Sequence, residues 1–160
     1  MISMHTLNHT LEKNVLDADG RYLSLKELQP LEQYVETYRT RLDTYHKLRE
    51  HSEQLVITAL RKLARVHPEV IQKHGQRCKY DMTEVLRYIA LSVLRDDEIF
   101  FKEQMMVWLD TILLAHKRTA HCSTAYRYLQ DAINETLPSQ DSGLIHPYID
   151  VVISALQAHA

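Results

Sequence analysis

Glycine and proline are scarce in this chain, three and four in 160 residues. Together they fall well below the usual level of about 12%, so there are few sites for the tight turns of a sheet protein. Helices are favoured. Cysteine is scarce too: Cys78 and Cys122 stand 44 positions apart and form neither a CxxC nor a Cys/His metal spacing. No disulfide framework and no metal site are expected, and a reducing, cytoplasmic setting fits best. A run of about 18 apolar residues is absent, and the opening MISMHTLNHTLEKNV lacks a basic start followed by an apolar block. Neither membrane insertion nor a signal peptide is expected.

An excess of one charge is missing as well. Nineteen basic residues against 21 acidic ones leave a formal charge of −2, which supplies no field to gather nucleic acid or anionic lipid. The chain also has no Gly-rich phosphate loop, nucleophile elbow or HExxH, and no paired carboxylates tied to a pocket. It is read as a non-enzyme without catalytic residues.

What is present is helical periodicity. The chain is 45% hydrophobic and 25% charged, enough for one core and too short for two, so a single domain over 1–160 is expected. Ser24 and Glu27 have the spacing of a capping box, in which each side chain satisfies a free amide of the other's backbone, and Gly20 closes the short helix before it. Pro30 is read as a boundary where two helices abut, because it has no N–H and restricts Gln29. An apolar stripe at Val56, Ala59, Leu60 and Leu63 stops at Pro68. Leu86, Ile89, Ala90, Val93 and Leu94 form a second stripe; Phe101, Met105, Trp108, Leu109 and Ile112 form a third. The last helices are read at about 120–136 and 147–158, with Pro147 at a first helical position. The expected total is seven or eight helices, a number compatible with a globin arrangement or another helical bundle.

One short stretch, RCKYDMTEVLRY, carries a chemical question. Cys78 is read at the start of an amphipathic helix, and Asp81, three residues on, shares its face. Cysteine at such a position is most simply a packing residue, and Asp81 a first-turn carboxylate answering the helix dipole. Cys122 is likewise read as helix-start packing. Met105, Met106 and Trp108 read as core, and Lys117 and Arg118 as a helix C-terminal charge pair.

Three segments resemble phycobiliproteins, the bilin-carrying light-harvesting proteins of cyanobacteria and red algae. LDADGRYLSLKEL (16–28) looks like the stretch joining their N-terminal helices, LRYIALSVLRDD (86–97) resembles their LRYVTY…AGD helix, and PYIDVVISALQ (147–157) resembles their closing PYFDYIIQAM. The resemblance implies an all-α, globin-like domain with an N-terminal helical hairpin, here 5–29, and a globin-like core, here 30–160. It also implies a tetrapyrrole-bearing cysteine in a CLRD motif eight residues before the Leu of LRY. Cys78 stands eight residues before Leu86, and Asp81 falls on the motif's aspartate.

Cys78 is therefore the expected thioether position for a phycocyanobilin-type open-chain tetrapyrrole, and Asp81 the expected acceptor for its pyrrole N–H groups. Arg77 and Tyr80 complete the candidate chromophore set. The helix start would ease Cys78 toward thiolate.

The sequence departs from the family pattern at three places. Tyr80 replaces the motif's arginine, the 68–78 connection is about half the family's usual length by this alignment, and Ile112 stands where a tyrosine often touches the pigment. An accessory role in bilin handling or phycobilisome assembly is expected over bulk light harvesting. The alternatives are a pigment-free adaptor and, through His116 or His121, a haem globin.

In the hairpin, Leu7, Leu11 and Val15 form a stripe on a helix too short to stand alone in water. The resemblance supplies a neighbouring subunit as its cover. Expected partners are a second copy, phycobilisome components, and a bilin lyase or bilin-biosynthesis enzyme, with a peripheral place at the thylakoid surface.

Overall fold

The computed structural model describes residues 8–116 and 119–158, with side chains described except at 106, 110, 112–116, 119 and 120. Leu7, Lys117 and Arg118 lie outside the described residues, as do the side chains of Met106, Ile112 and His116. Among the described residues six helices follow one another: α1 (His9–Asp17), α2 (Leu25–Val66), α3 (Pro68–Arg95), α4 (Glu98–His116), α5 (Thr119–Thr136) and α6 (Ser139–Ala158). Among the described residues there is no strand. Nor, among the described residues, is any helix long and apolar enough to cross a membrane.

The helix count is lower than expected because neither internal proline breaks its helix. α2 opens with the capping box, Ser24 Oγ accepting from Glu27 N at 3.2 Å and Glu27 Oε1 accepting from Ser24 N at 3.1 Å, and it runs on through Pro30. Pro147 sits inside α6, which begins eight residues earlier than expected. In each case the carbonyl four residues back, deprived of its donor, belongs to an exposed residue, Lys26 or Gly143. Water can satisfy these oxygens, which removes much of the cost of an interior proline. The 68–78 stretch is not a loop either. Pro68 occupies the first turn of α3, where a missing N–H costs nothing, and the helix continues to Arg95.

Turns sit where left-handed backbone occurs. Gly20, with φ 80°, lies between α1 and α2, and Asp96, with φ 51°, caps α3. Aspartate tolerates this region better than most side chains. Asp97 then accepts from Phe100 N at 3.0 Å through Oδ1, satisfying a free amide in the first turn of α4.

The core is formed by the expected stripes. Leu63, Leu86, Ile89, Phe101, Met105, Leu129 and Ile149 are almost fully buried in one cluster. Phe101 meets Tyr148 edge-on at 5.3 Å, and Tyr148 Oη donates to Ser92 O at 3.1 Å. Buried charges are paired. Asp141 accepts from Thr44 Oγ1 at 2.6 Å and faces Lys47 Nζ at 2.8 Å, and the buried Arg41 guanidinium reaches Leu94 O and Tyr34 O.

The N-terminal hairpin differs from expectation. α1 docks on its own chain: Asn8 Nδ2 donates to Asp96 O at 3.3 Å, His9 N donates to Asp97 Oδ2 at 3.1 Å, and His9 Nδ1 lies 2.7 Å from that oxygen. Leu11 is thereby covered within the chain, at 3% exposure. Val15 and Leu16 stay outside, 53% and 68% exposed. The second arm is not a separate helix but the first turns of α2, where Leu25, Val35 and Tyr38 are also exposed.

Candidate functional site

Residues at i, i+4 and i+8 share one helical face. Val70, His74 and Cys78 therefore form a row along α3, and Arg77, Asp81 and Met82 widen it. That face is one wall of an apolar cleft. Trp108 and Leu109 of α4 and His121, Cys122 and Tyr126 of α5 face it, while Leu63 and Leu156 help close its floor. The enclosed space is about 70 Å³, within a groove of about 740 Å³ that includes its open mouth.

Cys78 lies in the interior of α3, not at a helix start, since the helix begins at Pro68. The expected help from the helix dipole is therefore absent. Burial and then the nearby Asp81 carboxylate push the Cys78 thiol up from its ordinary range. The protein holds Cys78 as a thiol and not as a ready thiolate. Asp81, also mid-helix, is paired with Arg77 across one turn at 3.1 Å.

Tyr126 reports the convergence of the site. Burial raises its phenol well above the ordinary value, and Cys122, Asp81 and Cys78 add to the shift in that order. All three groups are close enough to act electrostatically on one buried ring. Tyr126 remains a neutral phenol.

The candidate set divides. Cys78, Asp81 and Arg77 line the cleft, whereas Tyr80 is 59% exposed and is not part of the lining. Two residues beyond Cys78, Tyr80 is turned about 200° around the helix. Its ring lies 5.9 Å from the Arg77 guanidinium. Sequence reading missed Cys122 as a cleft residue, because nothing in the spacing of two cysteines 44 positions apart joins α3 to α5. Trp108, read as core, also lines the cleft.

The phycobilisome protein family model matches residues 14–156. The chain belongs to this family. Its all-α fold is accordingly globin-like. The chain is 28% identical over 161 residues to the allophycocyanin alpha-B chain of Cyanidium caldarium, covering 89% of this chain and 95% of that one. It is 24% identical over 159 residues to the allophycocyanin alpha-B chain of Porphyra purpurea, covering 89% and 95%. Against the C-phycocyanin-1 beta subunit of a Synechococcus species it is 25% identical over 152 residues, covering 89% and 87%.

Proposed function

We propose that this family member binds an open-chain tetrapyrrole of phycocyanobilin type in the α3–α5 cleft, as an accessory in bilin handling or phycobilisome assembly and not as a bulk antenna subunit. The observation that carries this reading is the shared wall of Cys78 and Asp81 along an apolar groove. A conjugated tetrapyrrole supplies visible-light absorption when bound. The chain's own residues supply the rest: the groove excludes water, and Asp81 accepts from pyrrole N–H groups as counter-charge. Arg77, half-exposed at the mouth beside Asp81, offers a cation to a propionate in place of the arginine that Tyr80 replaces.

Cys78 would hold the group as a thioether, its S–H adding across a vinyl-type double bond with sulfur on one carbon and the proton on its neighbour. The raised thiol makes this slow without help. A lyase, or carriage without a bond, follows from that chemistry. The role is binding, not catalysis.

The small enclosed space and the outward-facing Tyr80 favour one second reading, a pigment-free adaptor of the phycobilisome. In both readings the exposed Val15, Leu16, Leu25 and Val35 form a surface for a second copy or a phycobilisome component, with the chain peripheral at the thylakoid surface. Co-expression with haem oxygenase and a bilin reductase separates them. Coloured protein supports the cleft reading, and colourless protein that still captures phycobilisome components supports the adaptor.

A further inference from the structure

At the rim of the same cleft, three metal-ligating side chains meet that are 54 positions apart in sequence. His67 joins α2 to α3, Glu69 lies in the first turn of α3, and His121 lies in the first turn of α5. One donor atom from each falls within 4.8 Å of the others. His67 Nδ1 is 3.4 Å from Glu69 Oε1, and the His67 and His121 rings stand edge-on with centroids 4.3 Å apart.

We infer that His67, Glu69 and His121 form a binding site for a zinc-class divalent cation, with a fourth position open toward the cleft. Zinc accepts imidazole nitrogen at about 2.0–2.1 Å and carboxylate oxygen at about 2.0–2.2 Å in tetrahedral geometry, which sets neighbouring donors about 3.4 Å apart. The His67–Glu69 separation already equals that edge. The His121 donor lies within 4.8 Å of the other two, and coordination requires it to close in on them. Two imidazoles and one carboxylate suit zinc and its neighbours better than the hard, oxygen-seeking calcium or magnesium ions.

The setting also defines the fourth ligand. His121 belongs both to the trio and to the cleft lining, so the remaining position faces the groove. The N-termini of α3 and α5 lie at the site, and their partial positive charge favours an anion there. Water, hydroxide or the carboxylate of a groove ligand meets that requirement. Glu69 offsets the same positive ends for the cation, and its 59% exposure leaves an entry path from solvent.

The test uses the full-length, tag-free protein titrated with Co²⁺, whose visible absorption distinguishes tetrahedral from octahedral coordination. The expected result is one equivalent bound with intense tetrahedral bands, displaced by one equivalent of Zn²⁺. His67→Ala, His121→Ala and Glu69→Gln should each weaken binding at least about tenfold, whereas the control His46→Ala should not. Circular dichroism identifies any variant that fails to fold, and Glu69→Gln, an exposed change, keeps the test open if a histidine variant does so. Weak octahedral bands, or tetrahedral bands that survive Glu69→Gln and both histidine changes, overturn the site.

Discussion

Asp97 is an almost fully buried acid and Cys78 a partly buried one, and the protein treats them in opposite ways. Burial alone would raise the Asp97 carboxyl. The Phe100 N–H, the His9 ring and the His9 N–H outweigh it and hold the group below its ordinary value. At Cys78 a backbone hydrogen bond lowers the thiol too little to matter, and burial with the Asp81 carboxylate outweighs it and raises the group. The difference is positional: Asp97 stands just before a helix and answers its free amides, while Cys78 stands inside a helix whose amides are already used. A carboxylate at a cap is a clamp, and a thiol on an apolar wall is a group kept neutral.

Removing the clamp should have the largest effect. Asp97→Ala deletes the α4 cap and the anchor of α1 together, and a loss of about 3 kcal/mol is expected in urea unfolding, from a cap and charge-assisted hydrogen bonds. Amide exchange in α1 should rise to that of an undocked helix. Protected α1 amides in the variant would show that Leu11 and the Asn8–Asp96 hydrogen bond hold the helix without Asp97.

Acid should act at the same place. Because the folded Asp97 value is lowered, its contribution is present above the ordinary aspartate range and is lost as pH falls through the depressed folded value. Unfolding free energy should therefore drop below about pH 4, with a shallower drop in Asp97→Asn. Equal slopes in the two proteins would remove Asp97 from the linkage.

Asp81→Asn sharpens the other half of the comparison. It removes the second cause of the Cys78 shift and leaves burial, so iodoacetamide should label Cys78 several-fold faster at neutral pH while still more slowly than a free thiol. An unchanged rate would mean that burial alone sets the reactivity. The smallest effect on stability is expected from Val15→Asp with Leu16→Asp, within about 0.5 kcal/mol. If α1 and the start of α2 form the association surface, light scattering should show a smaller assembly in that variant. An identical mass would move the surface elsewhere.

Much of the fold was legible from periodicity and caps. Val56, Ala59 and Leu63, Leu86, Ile89, Ala90 and Val93, and Phe101, Met105 and Leu109 of the three stripes are buried, and the Ser24–Glu27 box forms as its spacing implies. Local proline rules misplaced two boundaries, because the cost of Pro30 and Pro147 depends on whether solvent reaches one carbonyl, a tertiary fact. Pro68 does separate α2 from α3, but reading 68–78 as a connection placed Cys78 at a helix start and gave it a dipole it lacks. The cleft was half legible: Cys78 and Asp81 share a face by spacing alone. Cys122, Tyr126 and the His67–Glu69–His121 cluster depend on α5 facing α3 across the cleft, and no local pattern encodes that placement.

The central claim is that Cys78 and Asp81 face a tetrapyrrole in the cleft. Its most direct test is co-expression of wild type, Cys78→Ser and Asp81→Asn with haem oxygenase and a bilin reductase, read by absorbance and by zinc-enhanced fluorescence after denaturing electrophoresis. Wild type should be coloured, and Asp81→Asn should retain part of the pigment with blue-shifted, broadened absorbance as the counter-charge is lost. Any denaturation-resistant band should vanish in Cys78→Ser, with helical circular dichroism unchanged. Colourless wild type, or a spectrum and band indifferent to both substitutions, would contradict the account.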